Sequence, residues 1–262
     1  MKRILLVGAL LLSANAIFAQ RFEVVEEAPK RIDINRLRFG AYFGPNISWM
    51  KPTANKSSDG LYRVKSGGSK VGFTWGLMAD YFFADNYGLS TGFQVNTTGG
   101  KIETNRIGTD SLPNTVYMAD FDYSIQYLEL PFQLKLLSDP LVESRLRVFG
   151  QIGLTAGINI GKKASYEVLY TDELGSLKTT QEEKEKLYGT TSVAPVTLQL
   201  NVGAGIQRPI TDKLSFYFGL FFNNGFAPDA TNPKEYDLNY KGSFSDGTIR
   251  LNSFVFRLGI FF

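Results

Sequence analysis

The chain has 262 residues, a net charge of only +3, and neither cysteine nor histidine. Such a charge gives no case for a nucleic-acid partner, and the absent residue types exclude disulfides, Ser-His and Cys-His nucleophiles and the usual zinc sites. Aromatic residues at 14% together with 26 glycines describe an all-β chain rich in turns.

The first element in chain order is a leader. Met1-Lys2-Arg3 precedes the apolar run Ile4 to Leu12, and small residues follow at Ala14, Ala16 and Ala19. This predicts a secretory signal peptide over residues 1–19, cleaved after Ala19. The run is well short of the roughly 20 apolar residues a spanning helix needs. No cysteine follows it, so no lipid anchor is expected. Residues 20–36 mix both charges around Pro29 and are expected to form a periplasmic tail, which either docks a partner or stays without fixed structure. Residues 37–262 are then one domain.

Within that domain, apolar and other residues alternate with a period of two in eight segments, the pattern of strands. The predicted strands cover residues 37–50, 70–83, 87–97, 121–136, 145–160, 195–207, 214–224 and 249–262. Connections after the first, third, fifth and seventh are long and polar (51–69, 98–120, 161–194, 225–248). Those after the second, fourth and sixth are short (84–86, 138–144, 209–213). An even number of antiparallel strands with short turns at one rim and long loops at the other is the pattern of an outer-membrane barrel. The expected fold is therefore all-β, an eight-stranded antiparallel up-and-down transmembrane β-barrel with both chain ends on the short-turn side.

The faces can be assigned by volume. In "YLELPFQLKLL", Leu128, Leu130, Phe132, Leu134 and Leu136 share one parity, and Glu129, Gln133 and Lys135 the other. The bulky parity recurs at Val71, Phe73, Trp75 and Leu77, at Ile152 and Leu154, at Phe216, Phe218 and Leu220, and at Phe254, Phe256, Leu258 and Ile260. The opposite parity carries glycines and amides, such as Gly153, Gly157, Gln199 and Asn201. An eight-stranded barrel has an interior just wide enough for side chains to fill. The bulky set should face lipid and the small, polar set the lumen.

Arg38, Asp80, Glu129, Lys135, Arg145, Arg147 and Arg257 fall on the lumenal parity. Buried charges need partners, so a lumenal charge network is expected, with Glu129 pairing to Lys135, Arg147 or Arg257. It would act either as a gate on a polar path or, as the narrow lumen favours, as a plug of ion pairs. Pro131 removes a ladder hydrogen bond inside a closed sheet, so a bulge or local distortion is expected there. In the loop at 161–194, Thr180 and Glu183 form a capping box for one or two helical turns. Asp120 and Asp122 are the nearest carboxylates for acid–base work, although solvated charges at a loop edge explain them more simply. No metal or cofactor motif occurs.

The Tyr127-Leu128-Glu129-Leu130-Pro131 strand with Leu134 and Lys135, the aromatic C-terminal strand "FVFRLGIFF" and the leader ending "AIFAQ" together resemble the PorT-like outer-membrane β-barrel family. The resemblance spans about residues 37–262. It implies the outer membrane of Bacteroides-type Gram-negative bacteria and a setting near type IX protein secretion. Phe262 resembles the terminal aromatic signal read by barrel-insertion machinery. The expected function is a non-enzymatic integral outer-membrane barrel with a structural or interaction role, possible partners being lipid, the insertion machinery, and secretion or envelope proteins reached through the outer loops. The alternative is a narrow channel for small polar solutes.

Overall fold

The computed structural model describes residues 36–53, 56, 60–107, 113–141, 144–186, 193–226, 230–231 and 248–262. The predicted signal peptide and all of the predicted tail except Arg36 lie outside them. Ten strands are present among the described residues: β1 (Leu37–Pro52), β2 (Tyr62–Ala84), β3 (Tyr87–Arg106), β4 (Val116–Leu137), β5 (Arg147–Thr171), β6 (Leu177–Lys186), β7 (Val196–Pro209), β8 (Ser215–Gly225), β9 (Ala230–Thr231) and β10 (Thr248–Phe261). Eight of them close a ring in the order β1-β2-β3-β4-β5-β7-β8-β10, and β10 returns to β1 from Gly40–Phe261 to Pro52–Ile249. Closure leaves no sheet edge facing lipid, where an unpaired backbone group has no water to bond.

The bulky parity points outward. Leu128, Leu130, Phe132, Leu134 and Leu136 on β4 are exposed, as are Val71, Phe73, Trp75 and Leu77 on β2 and Phe254, Phe256, Leu258 and Ile260 on β10. The lumen is less purely polar than expected. Tyr42, Phe82, Phe149, Tyr217, Phe221 and Phe261 turn inward and form one apolar cluster. Glycine makes room for them: a Cβ on Gly203 would sit 2.1 Å from the Phe221 ring.

Four strands run far beyond the about 9–11 residues that a tilted membrane strand needs. β2, β3, β4 and β5 have 23, 20, 22 and 25 residues. Much of the expected loops 98–120 and 161–194 is therefore strand. The Thr180–Glu183 capping box also gives way to strand, since β6 pairs antiparallel to β5 from Leu177–Thr171 to Lys186–Lys163. A four-residue helical signal cannot compete with a ladder offered by a preformed neighbour.

The polarity inverts where the surrounding solvent changes. On lower β4 the outward residues are leucines and Phe132, whereas above Tyr127 they become Gln126, Ser124, Asp122 and Asp120. The inward side changes oppositely, from Lys135, Gln133 and Glu129 to Tyr127, Ile125, Tyr123 and Phe121, all buried. β5 keeps pace through a register shift beside Gln126/Tyr127. Beyond it Ala164, Tyr166 and Val168 are buried while Lys163 and Glu167 are exposed. Upper β2 and β3 follow, with Val64 and Ile102 inward and Arg63, Lys65 and Lys101 outward. Lipid rewards apolar outward faces and water rewards apolar inward ones, so the inversion marks the outer membrane boundary. Upper β2–β6 form a sheet raised above it.

Pro131 produces no bulge. Pairing of β3 with β4 steps from Thr91–Phe132 to Gln94–Glu129 in one register, and Pro131 pairs with Thr155 on the other side. Its carbonyl accepts a 2.9 Å bond from the Thr91 hydroxyl. The missing N–H faces β3, so the ladder is interrupted there and the count of residues is unchanged.

Candidate functional site in the lumen and on the raised sheet

Lys135 on β4 and Asp80 on β2 have fully buried side chains and form an ion pair at 2.5 Å. The other Asp80 oxygen accepts from Ser90 Oγ at 2.6 Å. Rings of Phe149, Tyr217 and Phe261 surround the ammonium at 4.9, 5.3 and 4.8 Å. An ammonium over ring faces is held by their quadrupoles, so this layer packs charge and aromatic bulk together at the short-turn end of the lumen. Arg38 sits over Phe261 at 4.5 Å, at the same rim.

The expected pairing of Glu129 with Lys135 is corrected. The two are six residues apart on one strand, about 20 Å at the usual rise. Arg147 is more remote still from Glu129. It pairs at the level of Gln207, ten residues below Gly157, which lies opposite Glu129. Its guanidinium instead caps the short-turn rim, donating to the Ser138 carbonyl at 2.7 Å and the Asn86 side-chain oxygen at 3.3 Å. Arg145 leaves the network altogether. It is exposed in the turn ahead of β5 with φ 52°, and strand parity does not govern a turn residue.

Glu129 and Arg257 meet through an amide. Gln94 Oε1 accepts from Arg257 Nη2 at 3.1 Å and from the Tyr42 hydroxyl, and its Nε2 donates to Glu129. Asn96 also donates to Glu129, at 3.0 Å, and accepts from Asn46 at 2.9 Å. Arg257 lies over Phe221 at 4.1 Å and over Tyr42 at 4.9 Å. A second run of side chains links Gln133, Asn201, Asn223 and Ser253. The lumen is thus layered: an aromatic and ionic floor, a middle band of amides around Glu129 and Arg257, and above it the apolar cluster of Met50, Ile102, Phe121, Tyr123, Ile125 and Leu251. We expect Gln94→Ala to cost about 1–3 kcal/mol, because it leaves buried charges without their shared partner. Urea unfolding in liposomes measures it, and a loss under half a kilocalorie contradicts the bridge.

On the outer face of the raised sheet, Lys65, Glu103, Asp120, Glu167 and Gln181 stand in one cross-strand row. Glu103, Asp120, Glu167 and Gln181 of this row, with Lys101, Asp122, Glu182 and Glu183 nearby, line an open groove of about 600 Å³. Lys65 pairs with Glu103 at 2.7 Å, and Lys70 with Asp122 at 2.7 Å. Burial first, then repulsion from Glu103 and Glu167, raises the Asp120 carboxyl above the usual carboxylate range. Asp120 and Asp122 both face outward. The sequence names these carboxylates but not their neighbours, because a row across five strands depends on register.

The ring of lipid-facing strands and its inverted upper half define an outer-membrane β-barrel protein, seated in the bacterial outer membrane. Residues 18–226 match the family described as outer membrane protein beta-barrel domain, and the chain belongs to that family. Among solved structures it is similar to Neisserial surface protein A, with 12% identity over 85% of this chain and 95% of that one, TM-score 0.39. OprG from Pseudomonas aeruginosa gives 12% identity, coverage of 86% and 94%, and TM-score 0.39. The outer membrane protease OmpT from Escherichia coli gives 9%, coverage of 92% and 99%, and TM-score 0.35. No curated protein matches the chain.

Proposed function

We propose that the protein is a non-enzymatic, closed barrel whose working surface is the raised extracellular sheet, where the acidic groove takes a cationic segment of a secreted or envelope protein. The observation that carries this reading is the extension of β2–β5 well past the membrane, with an outward row containing Glu103, Asp120 and Glu167. Loops and rims away from the packed scaffold commonly carry function. The resemblance of residues 127–135 to PorT-like barrels supports a setting in protein secretion or envelope assembly.

Binding of a lysine-rich peptide to the detergent-solubilised full chain, followed by fluorescence anisotropy, tests the reading. Wild type is expected to bind at low ionic strength, and the Glu103→Gln/Glu167→Gln variant at least tenfold more weakly. Equal affinity for both proteins rejects the groove. Acidification has two opposite effects. Because the folded-state Asp120 carboxyl is raised, the native sheet takes up that proton more readily than the unfolded chain. Its stability therefore gains as pH falls through the raised value, while peptide affinity drops as the negative charge is lost.

The amide-lined middle band favours the second reading, a narrow channel. The floor beneath it is filled by the Lys135 layer, so planar-bilayer recordings of the wild type are expected to show no unit conductance. Discrete current steps would replace the interaction reading with the channel.

A further inference from the structure

Lys51 on β1 and Arg250 on β10 are directly opposed in the antiparallel register, and both are exposed. Opposed residues on one face have Cβ atoms about 5 Å apart, and like charges placed so are destabilising. The neighbouring positions in register, Trp49 with Ser69 and the buried Asn252 with Asn224, bring no charge. Neither cation forms an ion pair among the described residues. Among the described residues the repulsion is left in place, and a bound anion would relieve it.

The location says where that anion comes from. Two residues below, about 7 Å along the strand, Trp49 stacks on Phe222 at 6.2 Å and contacts Phe254 at 5.5 Å. Phe222 and Phe254 themselves meet at 5.2 Å. An aromatic cluster at the upper end of the lipid-facing band marks the membrane interface. The cation pair just above it stands at the level of headgroups, not of bulk water. A guanidinium offers a planar fork that matches phosphate oxygens, and an ammonium adds a point charge.

We propose that Lys51 and Arg250 form a site for the phosphate of an outer-leaflet lipid, with the acyl chains of that lipid lying against Trp49, Phe222 and Phe254. The site fastens a phosphorylated lipid to the seam where β10 closes on β1.

The full chain is purified in a non-ionic detergent and mixed with a lipid bearing a phosphate monoester headgroup or with a zwitterionic lipid. Lipid retained on the folded barrel is counted by native mass spectrometry. Wild type is expected to retain the phosphate lipid at least tenfold better than the zwitterionic one. Lys51→Gln/Arg250→Gln is expected to lose that preference, and Arg63→Gln, which removes an exposed cation from the raised sheet, to keep it. In detergent without phosphate lipid the double variant should be no less stable than wild type, since a repulsion has been removed. Phosphate lipid should then raise the unfolding temperature of wild type alone. A double variant that keeps the full preference overturns the proposal. So does inorganic phosphate that stabilises wild type as strongly as the lipid does, because the acyl chains then contribute nothing.

Discussion

Lys135→Met is expected to destabilise the barrel by about 3–5 kcal/mol, since it leaves Asp80 charged and buried without its counter-ion. The methionine keeps most of the apolar stem, so lost packing is a minor part of the effect. Adding Asp80→Asn should recover most of the loss, because replacing both members of a buried pair is often close to neutral. Ser90 remains available to the new amide. Urea unfolding in liposomes, followed through the lipid-facing Trp49 and Trp75, measures both variants. Equal destabilisation of the single and double variants would show that the two groups are not coupled. A conductance that appears only in Lys135→Met would identify this layer as the element that closes the lumen.

Gly44→Val should prevent closure of the ring. A Cβ there would stand 1.9 Å from the Phe256 carbonyl oxygen and 2.8 Å from its carbon. Both are backbone atoms of β10, so no rotamer change relieves the clash and the strands must part. The seam is already weak beside this point. Pairing of β1 with β10 steps from Phe43–Leu258 to Asn46–Val255, with Pro45 unable to donate between them. Overpacking usually costs about 1–3 kcal/mol and occasionally more, and Gly44→Val is expected at or beyond the top of that range. Gly150→Ala is the matched control, because nothing lies within 4 Å of its Cβ position. It is expected to stabilise by about 0.4–1 kcal/mol through the lower entropy of the unfolded chain. The shift of the folded band in unboiled gel samples reports both. A Gly44→Val protein that folds like wild type would contradict the close approach of β1 and β10.

Much of the barrel was legible locally. Period-two alternation along β4 and β10, the bulk of Phe254 to Ile260, and the glycines and amides on the other parity sufficed for the eight strands of the ring, their connection order and the lipid-facing side. Each of those properties belongs to a residue and its neighbours two positions away. The inward turn of Phe149, Tyr217 and Phe221 was less legible, because the room they occupy is provided by glycines such as Gly203 and Gly205 on another strand. The expected strands stop short of the upper ends of β4 and β5, at residues 121 and 160, where the chain continues as strand from 116 and to 171. Their alternation is intact but inverted, with Asp120 and Asp122 outside and Phe121 and Tyr123 inside, and a search for apolar outward faces passes over it.

Alternation along the chain is therefore what the amino-acid order determines by itself: strands, their faces, and the residue types that enter the lumen. Which charges meet there was decided only by the tertiary structure. Lys135 finds Asp80 across β3, and Glu129 reaches Arg257 through Gln94. The physical reason is stagger. Strand parity repeats every two residues, but a partner across the barrel depends on the offset of every ladder between, and that offset accumulates through long-range hydrogen bonds rather than through any local preference.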